Sequence, residues 1–445
     1  MPPALRVRGQ TLLVLASIVT AVAGPSLSAN QPTAVAPVAP SGSQQTQEAD
    51  TADAREAERT AAEARRSGIL GWIRERLRTP PEEAPVEGSG FSLSAGTVVS
   101  GSGVAAGARY RRANLLPLAI DAEVGAMVSI RGYQEYSAAV GWLDRNRSTV
   151  AFHAADTALP SLFNASSPKA PGASAYLDVG HRIYPRHRYF GSGIVAPREN
   201  EADYTLSGTS IDGVWQRQFS RALGISVRGG WLNLRVGPGH VDALVDVEDR
   251  FEPAERPGWD RQPRFVTAGA GLVWDERDNP RAPEQGWFVG TSLRRFVAVS
   301  HADLTFTRVT MDLRAYERLP GGVVALRALT SADLAAAGTA TPFYLLSSLG
   351  GSHTLRGYPA YRFADRALLH ATVEFRWRVH RWIEVVPFVD AGTVAPSWSR
   401  MSTASLLVTP GVGLRARTDR GALARLDWSR SREGHRLTFG VGPVF

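Results

Sequence analysis

Alternation between apolar and ionic side chains, with a period of two residues, runs through the C-terminal third of the chain. From 369 to 379 the odd positions are apolar and the even positions are polar or charged, and Glu374 is on the polar side. The stretches 383–391 and 406–417 repeat this split, with Asp390 on the polar side of the first. Successive side chains of a β-strand point to opposite faces, so the period predicts strands with one apolar and one ionic face.

The N-terminus has the layout of a secretory signal peptide. Arg6 and Arg8 precede an apolar run from 12 to 23, and small residues follow up to Ala29. This run is shorter than the roughly 20 apolar residues that a membrane-spanning helix needs, and no later segment reaches that length. We therefore expect residues 1–29 to be a signal peptide that exports the chain, and we exclude a helical membrane protein.

Residues 30–90 differ in composition from the rest of the chain. The stretch is rich in Ala, Pro, Gln, Glu and Arg and predicts a periplasmic linker without a core of its own. Between 68 and 78 apolar residues recur at helical spacing before Pro80, which predicts a short amphipathic helix. The helix would pack on neighbouring structure or, alternatively, dock on the membrane surface or in the lumen of a barrel.

From residue 91 to 445 the chain consists of alternating segments separated by turn signals, which is typical of an all-β protein. A soluble sandwich would turn its apolar face inward. Here the polar face is rich in arginine, Trp and Phe stand at strand ends, and the chain is exported. These features favour a transmembrane antiparallel β-barrel with lipid outside and a polar lumen.

We count sixteen strands, in keeping with the even numbers that single-chain bacterial barrels prefer. The alternating piece 91–98 is interpreted as a lead-in to the barrel. With the N-terminus in the periplasm, the connections 237–261 and 350–366 face the outside, and 276–285 is a periplasmic turn. The counted strands are 103–112, 118–131, 133–142, 148–156, 174–183, 203–219, 222–236, 262–275, 286–299, 303–318, 322–335, 367–379, 383–393, 406–418, 421–430 and 435–445.

Composition and motifs exclude several classes of function. Cysteine is absent, so there is neither a disulfide nor thiolate chemistry. The formal net charge is +8, but basic residues are spread over the strands instead of clustered, so we expect no nucleic-acid partner. The sequence holds no Gly-x-Ser-x-Gly elbow and no His-Glu-x-x-His pattern, and its histidines are scattered. We therefore predict a protein that is not an enzyme and that uses no metal or cofactor.

Three motifs in the C-terminal half carry a resemblance to a known family. They are Leu355-Arg356-Gly357-Tyr358 after Gly350-Gly351, then Val373-Glu374-Phe375, and then Phe388-Val389-Asp390-Ala391-Gly392. In this order and spacing the chain resembles the bacterial surface antigen superfamily of BamA/TamA-like outer-membrane barrels, over residues 100 to 445. The resemblance implies that the loop folds back into the barrel, where Arg356 pairs with Glu374 and Asp390.

The residues themselves are suited to this arrangement. Alternation places Glu374 and Asp390 on the polar face of adjacent strands, and a guanidinium offers five donors in a planar fork that a desolvated site must pair. Gly357 permits a close approach of the backbone or a conformation that other residues avoid. The alternative is that Arg356 and its neighbours are ordinary exposed loop residues. The predicted loop-to-barrel clamp consists of Arg356, Gly357, Tyr358, Glu374, Asp390 and Gly392, either as a fixed brace or as a moving part.

The C-terminus resembles the assembly signal of outer-membrane proteins. Thr438, Gly440 and the final Phe445 match the pattern, whereas Pro443 stands where a large apolar residue is usual. Proline has no N–H to donate to a strand ladder. Since the last strand of a barrel closes on the first, we expect the seam to be short of hydrogen bonds near Pro443.

The resemblance implies a function, but one domain that is usual in the family is not expected in residues 30–90. Residues 30–90 lack strand-like segments, so we expect no POTRA domain there, and no patatin motif is present. We expect a barrel that assists insertion or translocation of proteins or lipids. Its partners would be outer-membrane lipid and, during its own biogenesis, the outer-membrane assembly machinery. One alternative is a passive channel or surface antigen, anion-favouring through Arg376, Arg378, Arg415 and Arg417; another is that residues 48–78 dock a separate periplasmic partner.

Overall fold

Sixteen long antiparallel strands form one wall, in which each strand pairs with its neighbour along the chain. The predicted signal peptide, amphipathic helix, strand 148–156 and Pro443, and all of the predicted linker except its last two residues, lie outside the part of the chain that the structure describes. The computed structural model describes residues 89–116, 120–143, 172–280, 282–418, 421–442 and 444–445.

Three short strands lie in loops, and the remaining sixteen make the wall. In chain order the strands are β1 Gly90–Gly96, β2 Ala105–Leu116, β3 Ile120–Ser129, β4 Gln134–Trp142, β5 Gly172–Tyr189, β6 Ala202–Gln218, β7 Leu223–Pro238, β8 Val245–Asp246, β9 Arg264–Asp275, β10 Gly286–Ala298, β11 Phe306–Leu319, β12 Gly322–Leu334, β13 Ser347–Leu349, β14 Phe363–Asp365, β15 Ala367–His380, β16 Ile383–Ala395, β17 Leu407–Thr418, β18 Gly421–Ser431 and β19 Gly434–Val441. The loop strand β8 pairs in parallel with β6, and β13 pairs with β14.

Helical structure in the described residues is limited to single turns. None of these helices is long and apolar enough to cross a membrane. They are α1 Val247–Arg250 and the 3₁₀ turns Arg198–Asn200, Ala302–Leu304, Phe343–Leu345, Trp398–Arg400 and Thr403–Ser405.

Burial alternates along the wall strands as the sequence predicts. In β15 the side chains of His370, Thr372 and Glu374 are buried, whereas Leu369 and Val373 on the other face are partly exposed. An apolar outer face with an aromatic girdle and a polar interior is the pattern of a membrane barrel. The predicted sixteen-stranded all-β barrel is therefore confirmed. Five exposed tryptophans lie toward one end of the wall, namely Trp142, Trp215, Trp274, Trp287 and Trp377, and two more, Trp398 and Trp428, lie toward the other.

The stretch predicted as a lead-in is the first strand of the wall. β1 pairs with β2 over its whole length, with Phe91 opposite Tyr110, and Phe91 and Leu93 are strongly exposed on the outer face. The interpretation of 91–98 as a lead-in was therefore wrong. Its pattern is weak because the inward positions carry only the small residues Ser92 and Ser94, and a strand of seven residues gives few repeats of the period.

The long connections among the described residues lie at one end of the wall, which we call the loop end, and we call the other end the turn end. The three longest described loop-end connections are 190–201, 239–263 and 335–366. Phe343 of the last packs on Tyr189 of β5 and Tyr204 of β6, with ring centroids 5.0 Å apart in both cases, and on Trp259 at 6.1 Å. Aromatic burial thus fixes these loops to each other and to inward-facing wall residues.

Candidate functional site: a loop arginine bound inside the barrel

Arg356, in the loop between β12 and β15, is fully buried. Its Nε and Nη2 donate to Asp390 Oδ2 and Oδ1 at 2.9 and 2.7 Å, and its backbone N–H donates to Oδ2 at 3.1 Å. Its Nη1 donates to Glu374 Oε1 at 2.9 Å. Burial alone would lower the pKa of Arg356, but the charges of Asp390 and Glu374 outweigh it and raise the pKa above its usual value. The guanidinium therefore stays charged and is held by two strands at once.

The two carboxylates are held by further donors on the wall. Asp390 Oδ1 accepts from the Thr372 hydroxyl at 2.6 Å. Glu374 Oε1 accepts from Arg415 Nη2 at 2.5 Å, and its Oε2 accepts from Arg376 Nε at 3.2 Å. Each acid therefore bonds to the loop and to the wall. A buried ion network of this kind is tolerated only when its members are paired in this way.

Apolar contacts hold the rest of the motif. Leu355 and Tyr358 are buried in a cluster with residues of β12, β15, β16 and β17. The Tyr358 ring meets Phe363 edge to face at 5.0 Å, and the Tyr358 N–H donates to the Leu355 carbonyl at 3.0 Å. The loop tip is therefore a tight turn with an ionic side on Arg356 and an apolar side on Tyr358.

Two of the predicted glycines are explained by close approach. A Cβ on Gly357 would stand 2.8 Å from Thr409 Cγ2 of β17 and 2.9 Å from Ser431 Cβ of β18. A Cβ on Gly392 would stand 2.9 Å from Leu349 Cδ1 in the loop. Both distances are shorter than a carbon–carbon contact allows, so larger residues would push the loop off the wall.

The sequence analysis gave no role to three further residues of the site, although Phe388 belongs to one of its motifs. The ring of Phe388 lies under the guanidinium, with Arg356 Cζ 3.2 Å from its centroid. Asp427 Oδ1 of β18 lies 3.8 Å from Arg356 Nη1, and Asp427 Oδ2 accepts from Arg425 Nη1 at 2.7 Å. Alternation puts Arg425 and Asp427 on one face of β18, but it does not show that this face meets the loop.

The arginines proposed as an anion-favouring lining are each paired with an acid. Arg376 and Arg415 bind Glu374, as described above. At the turn end Arg378 contacts Glu284 at 2.5 Å, and Arg417 Nε lies 3.2 Å from Glu384 Oε1. The lumen therefore does not present these four guanidiniums as free cations.

The turn 276–285 is held by its own ion pairs, whereas the sequence analysis treated it only as a connection. Arg277 donates to both oxygens of Asp275 at 2.8 Å and lies over the Phe288 ring at 4.9 Å. Glu284 reaches across to Arg318 at 2.9 Å. The density of Asp, Arg, Asn and Pro in this turn was the signal that could have identified it.

β1 and β19 are the two ends of the wall and form its seam. β1 pairs with β2, and β19 pairs with β18, each through one edge. The two strands approach within 8 Å between Cα atoms. Across the described parts of both strands, however, no backbone ladder joins them.

The loop that carries Arg356 contacts both sides of this seam. On the β1 side, the Ser352 N–H donates at 2.9 Å to Ser100 Oγ in the connection after β1. Gly351 adopts a φ of +87°, and a Cβ there would stand 2.2 Å from Ser100 Oγ. On the β19 side, Arg362 Nε donates at 2.7 Å to Glu433 in the turn before β19. One loop, fixed by Arg356, thus contacts the connection after β1 and the turn before β19.

The predicted C-terminal signal divides into a strand part and a tail. Thr438 and Gly440 lie in β19, opposite Asp427 and Arg425 of β18. A Cβ on Gly440 would stand 2.6 Å from Arg425 Nε, so the glycine makes room for the guanidinium that binds Asp427.

The predicted strand 435–445 is too long. β19 ends at Val441, and Gly442 follows with a φ of +78°. Phe445 is buried, its ring centroid lies 6.2 Å from that of Tyr316 in β11, and Arg376 Cζ lies 5.3 Å from it. A glycine in a left-handed conformation, followed in the sequence by proline, explains why the strand stops before the aromatic residue.

No cluster of three or more His, Cys, Asp or Glu side chains that could hold a metal ion occurs in the part of the chain described. The arrangement around Arg356 is ionic and apolar, and the Arg356 guanidinium is bound by Asp390 and Glu374. Chemically it can hold a loop in place and release it, because its bonds are non-covalent.

Comparison with known proteins shows which family and which solved structures this chain is similar to. The sequence matches the Omp85 superfamily domain over residues 215–445, which is more than half of the 445 residues. No curated protein matches the chain. Among solved structures, BamA from Haemophilus ducreyi lacking POTRA domains 1–3 is similar in fold, with a TM-score of 0.56 at 13% identity over 79% of this chain and 69% of that chain. CdiB from Escherichia coli gives a TM-score of 0.47 at 10% identity over 79% of this chain and 61% of that chain.

Proposed function

The chain belongs to the Omp85 superfamily of outer-membrane β-barrels, and from that premise we propose that it assists insertion or translocation of proteins at the outer membrane. The observation that carries this proposal is the seam: β1 and β19 lie side by side without a ladder in their described residues. Unpaired strand edges are templates for another strand. A client strand would pair with one of these edges while it enters the membrane beside the barrel.

The loop around Arg356 supplies the brace for such a seam. It touches the connection after β1 through Ser352 and the turn before β19 through Arg362. The loop end faces the cell surface in this proposal, and the turn end with its tryptophans faces the periplasm. Arg356, Gly357, Tyr358, Glu374, Asp390 and Gly392 then act as a clamp that sets how far the seam opens.

We also propose two partners on the basis of the same family assignment. Thr438, Gly440 and Phe445 would be read by the outer-membrane assembly machinery when this barrel is itself assembled. Residues 48–78, outside the described part of the chain, would dock a periplasmic partner that delivers clients.

A passive channel is less favoured. The three longest loop-end connections pack through buried aromatic side chains, including Phe343 and Trp259, onto inward-facing residues of β5 and β6. The arginines that would attract anions are each held by a carboxylate. A wide, anion-lined aqueous path is therefore not what the described residues provide.

The test uses the purified full chain in liposomes and a seam that can be locked. Ser100 Oγ and Ser352 Oγ lie 3.3 Å apart, and the chain has no cysteine of its own. In a Ser100→Cys/Ser352→Cys variant, oxidation should fix the loop to the β1 side. We expect the reduced variant to accelerate folding of an added outer-membrane barrel, and the oxidised one to lose that acceleration.

Controls separate this outcome from general damage. The single variants Ser100→Cys and Ser352→Cys, treated with the same oxidant, should keep their activity. Steady ion conductance with no folding acceleration in any form would refute the insertion proposal and restore the channel alternative.

A further inference from the structure

Three arginines stand on the outer face of the wall near the loop end. Arg235 of β7, Arg264 of β9 and Arg295 of β10 are exposed. The residues next to them in the chain, including Leu234, Phe265 and Arg294, are buried on the inner face. Because side chains alternate along a strand, the three arginines face outward. We call them the arginine patch.

Strand register sets the spacing within the patch. Asn233 lies opposite Arg264, and Arg235 is two residues further along the same face, so Arg235 and Arg264 are diagonal neighbours about 7–8 Å apart. Arg295 lies opposite Ala268, four residues along β9 from Arg264, which is about 13 Å at ~3.3 Å per residue. The patch therefore has a close pair and a third guanidinium nearer the turn end.

The height of the patch can be measured against the tryptophan belt. Arg295 follows the exposed Trp287 by eight residues of β10, which is about 20 Å along the barrel axis for a strand tilted by ~40°. The apolar band of such barrels is about 25 Å tall. Arg295 thus lies near the upper border of the band, and Arg235 and Arg264 lie beyond it, at the level of lipid headgroups.

The surroundings of the patch are mixed, because the exposed Val266 and Val297 face outward between Arg264 and Arg295. Arg295 Nη1 donates to Thr307 Oγ1 at 2.9 Å, and none of the three arginines forms an ion pair with a described residue. The nearby outward positions on β6, β7 and β11 carry hydroxyl and amide groups, namely Ser207, Thr209, Asn233 and Thr307.

Other outward positions at the loop end differ from the patch. Those of β12, β15 and β17 include the apolar residues Leu334, Leu369 and Val408, and β18, on the far side of the barrel, carries the single exposed Arg430. The patch is distinguished by three exposed guanidiniums on neighbouring strands.

We propose that the arginine patch binds the phosphate groups of glycolipid headgroups in the outer leaflet. Guanidinium forks bind phosphate through paired, charge-assisted hydrogen bonds. The close pair fits one phosphate, Arg295 fits a second about 13 Å away, and the hydroxyl and amide side chains that flank them on β6, β7 and β11 fit sugar hydroxyls. The leaflet named here rests on the orientation given under Proposed function.

The experiment compares three lipids on the purified full chain by native mass spectrometry. They are lipid A with two phosphates, lipid A with one phosphate, and phosphatidylglycerol. We expect tight retention of the first, weaker retention of the second and least of the third. The variant Arg235→Gln/Arg264→Gln/Arg295→Gln should bind the diphosphorylated lipid about tenfold more weakly, since three exposed ion pairs are lost.

A matched control is available on the other side of the barrel. Arg430 of β18 is exposed, faces outward and lies near the loop end, so Arg430→Gln removes one exposed guanidinium outside the patch and should leave retention unchanged. Equal retention by the triple variant and the unaltered protein would overturn the site. Phosphatidylglycerol retained as well as lipid A would overturn the glycolipid assignment.

Failure of the proposed function would give a different experimental result from failure of the lipid site. In liposomes without anionic glycolipid, the triple variant should accelerate client folding as well as the unaltered protein, because the patch lies away from the seam. Loss of lipid A binding with normal client folding concerns the patch alone. Normal lipid A binding without any client folding concerns only the insertion proposal.

Discussion

At the residue scale, the fully buried Arg356 binds two carboxylates on two strands and lies over the Phe388 ring. Removing one partner from a buried ion pair costs about 3–5 kcal/mol, because the remaining charges stay buried without compensation. We expect Arg356→Ala to lower the barrel's resistance to heat by a comparable free energy. Arg356→Lys should recover only part of it, because an ammonium group cannot present a planar fork to both acids.

The measurement is the temperature at which the folded electrophoretic band is lost, together with the rate at which added protease cuts the loop 335–366. Arg318→Ala is the matched control: the side chain of Arg318 is 60% exposed and is paired with Glu284. An exposed pair contributes at most ~1 kcal/mol, so the control should change little. Unchanged loop cleavage in Arg356→Ala would contradict the clamp.

How much of this site could be predicted also depends on individual residues. The family resemblance implied that Arg356 pairs with Glu374 and Asp390, and alternation placed both acids in the lumen. Phe388 and Asp427 were missed. Their approach to the loop depends on the curvature of the wall and on glycines that leave space. Alternation predicts only which face of a strand a residue lies on, so it predicts neither of these.

At the element scale, β18 and β19 are joined by more than their ladder. Arg425 of β18 lies over Gly440 of β19 while it binds Asp427. We expect Gly440→Ala to displace this guanidinium, because the new Cβ would stand 2.6 Å from Arg425 Nε. The expected result is slower assembly of the barrel and a loss of about 1–3 kcal/mol, typical of overpacking.

Refolding kinetics into detergent micelles would measure the effect. Gly237→Ala is a suitable control, since Gly237 also lies in a wall strand and a Cβ there would meet nothing within 4 Å. If both variants refold at the same rate, Gly440 has no spacing role.

The strand β1 shows what the sequence pattern could not predict at the element scale. It has only seven residues, its inward side chains are small, and its place in the wall is shown by its pairing with β2.

At the scale of the whole molecule, the wall is continuous except at the seam. In an antiparallel pair a strand uses alternate residues for each neighbour, so a strand paired on one side leaves about half of its N–H groups without a partner in a ladder. We expect amide exchange in β1 and β19 to be faster than in the interior strands β11 and β12, which pair on both sides. Exchange in β19 as slow as in β12 would mean that the seam is closed.

The same measurement tests whether the clamp governs the seam. The loop that Arg356 anchors touches Ser100 beside β1 and Glu433 beside β19. If the loop restrains both edges, Arg356→Lys should speed exchange in β1 and β19 and leave β10, on the far side of the barrel, unchanged. Faster exchange in all strands would instead show that Arg356 stabilises the barrel uniformly. Only the local response is consistent with a brace that sets how readily the wall opens to a client strand.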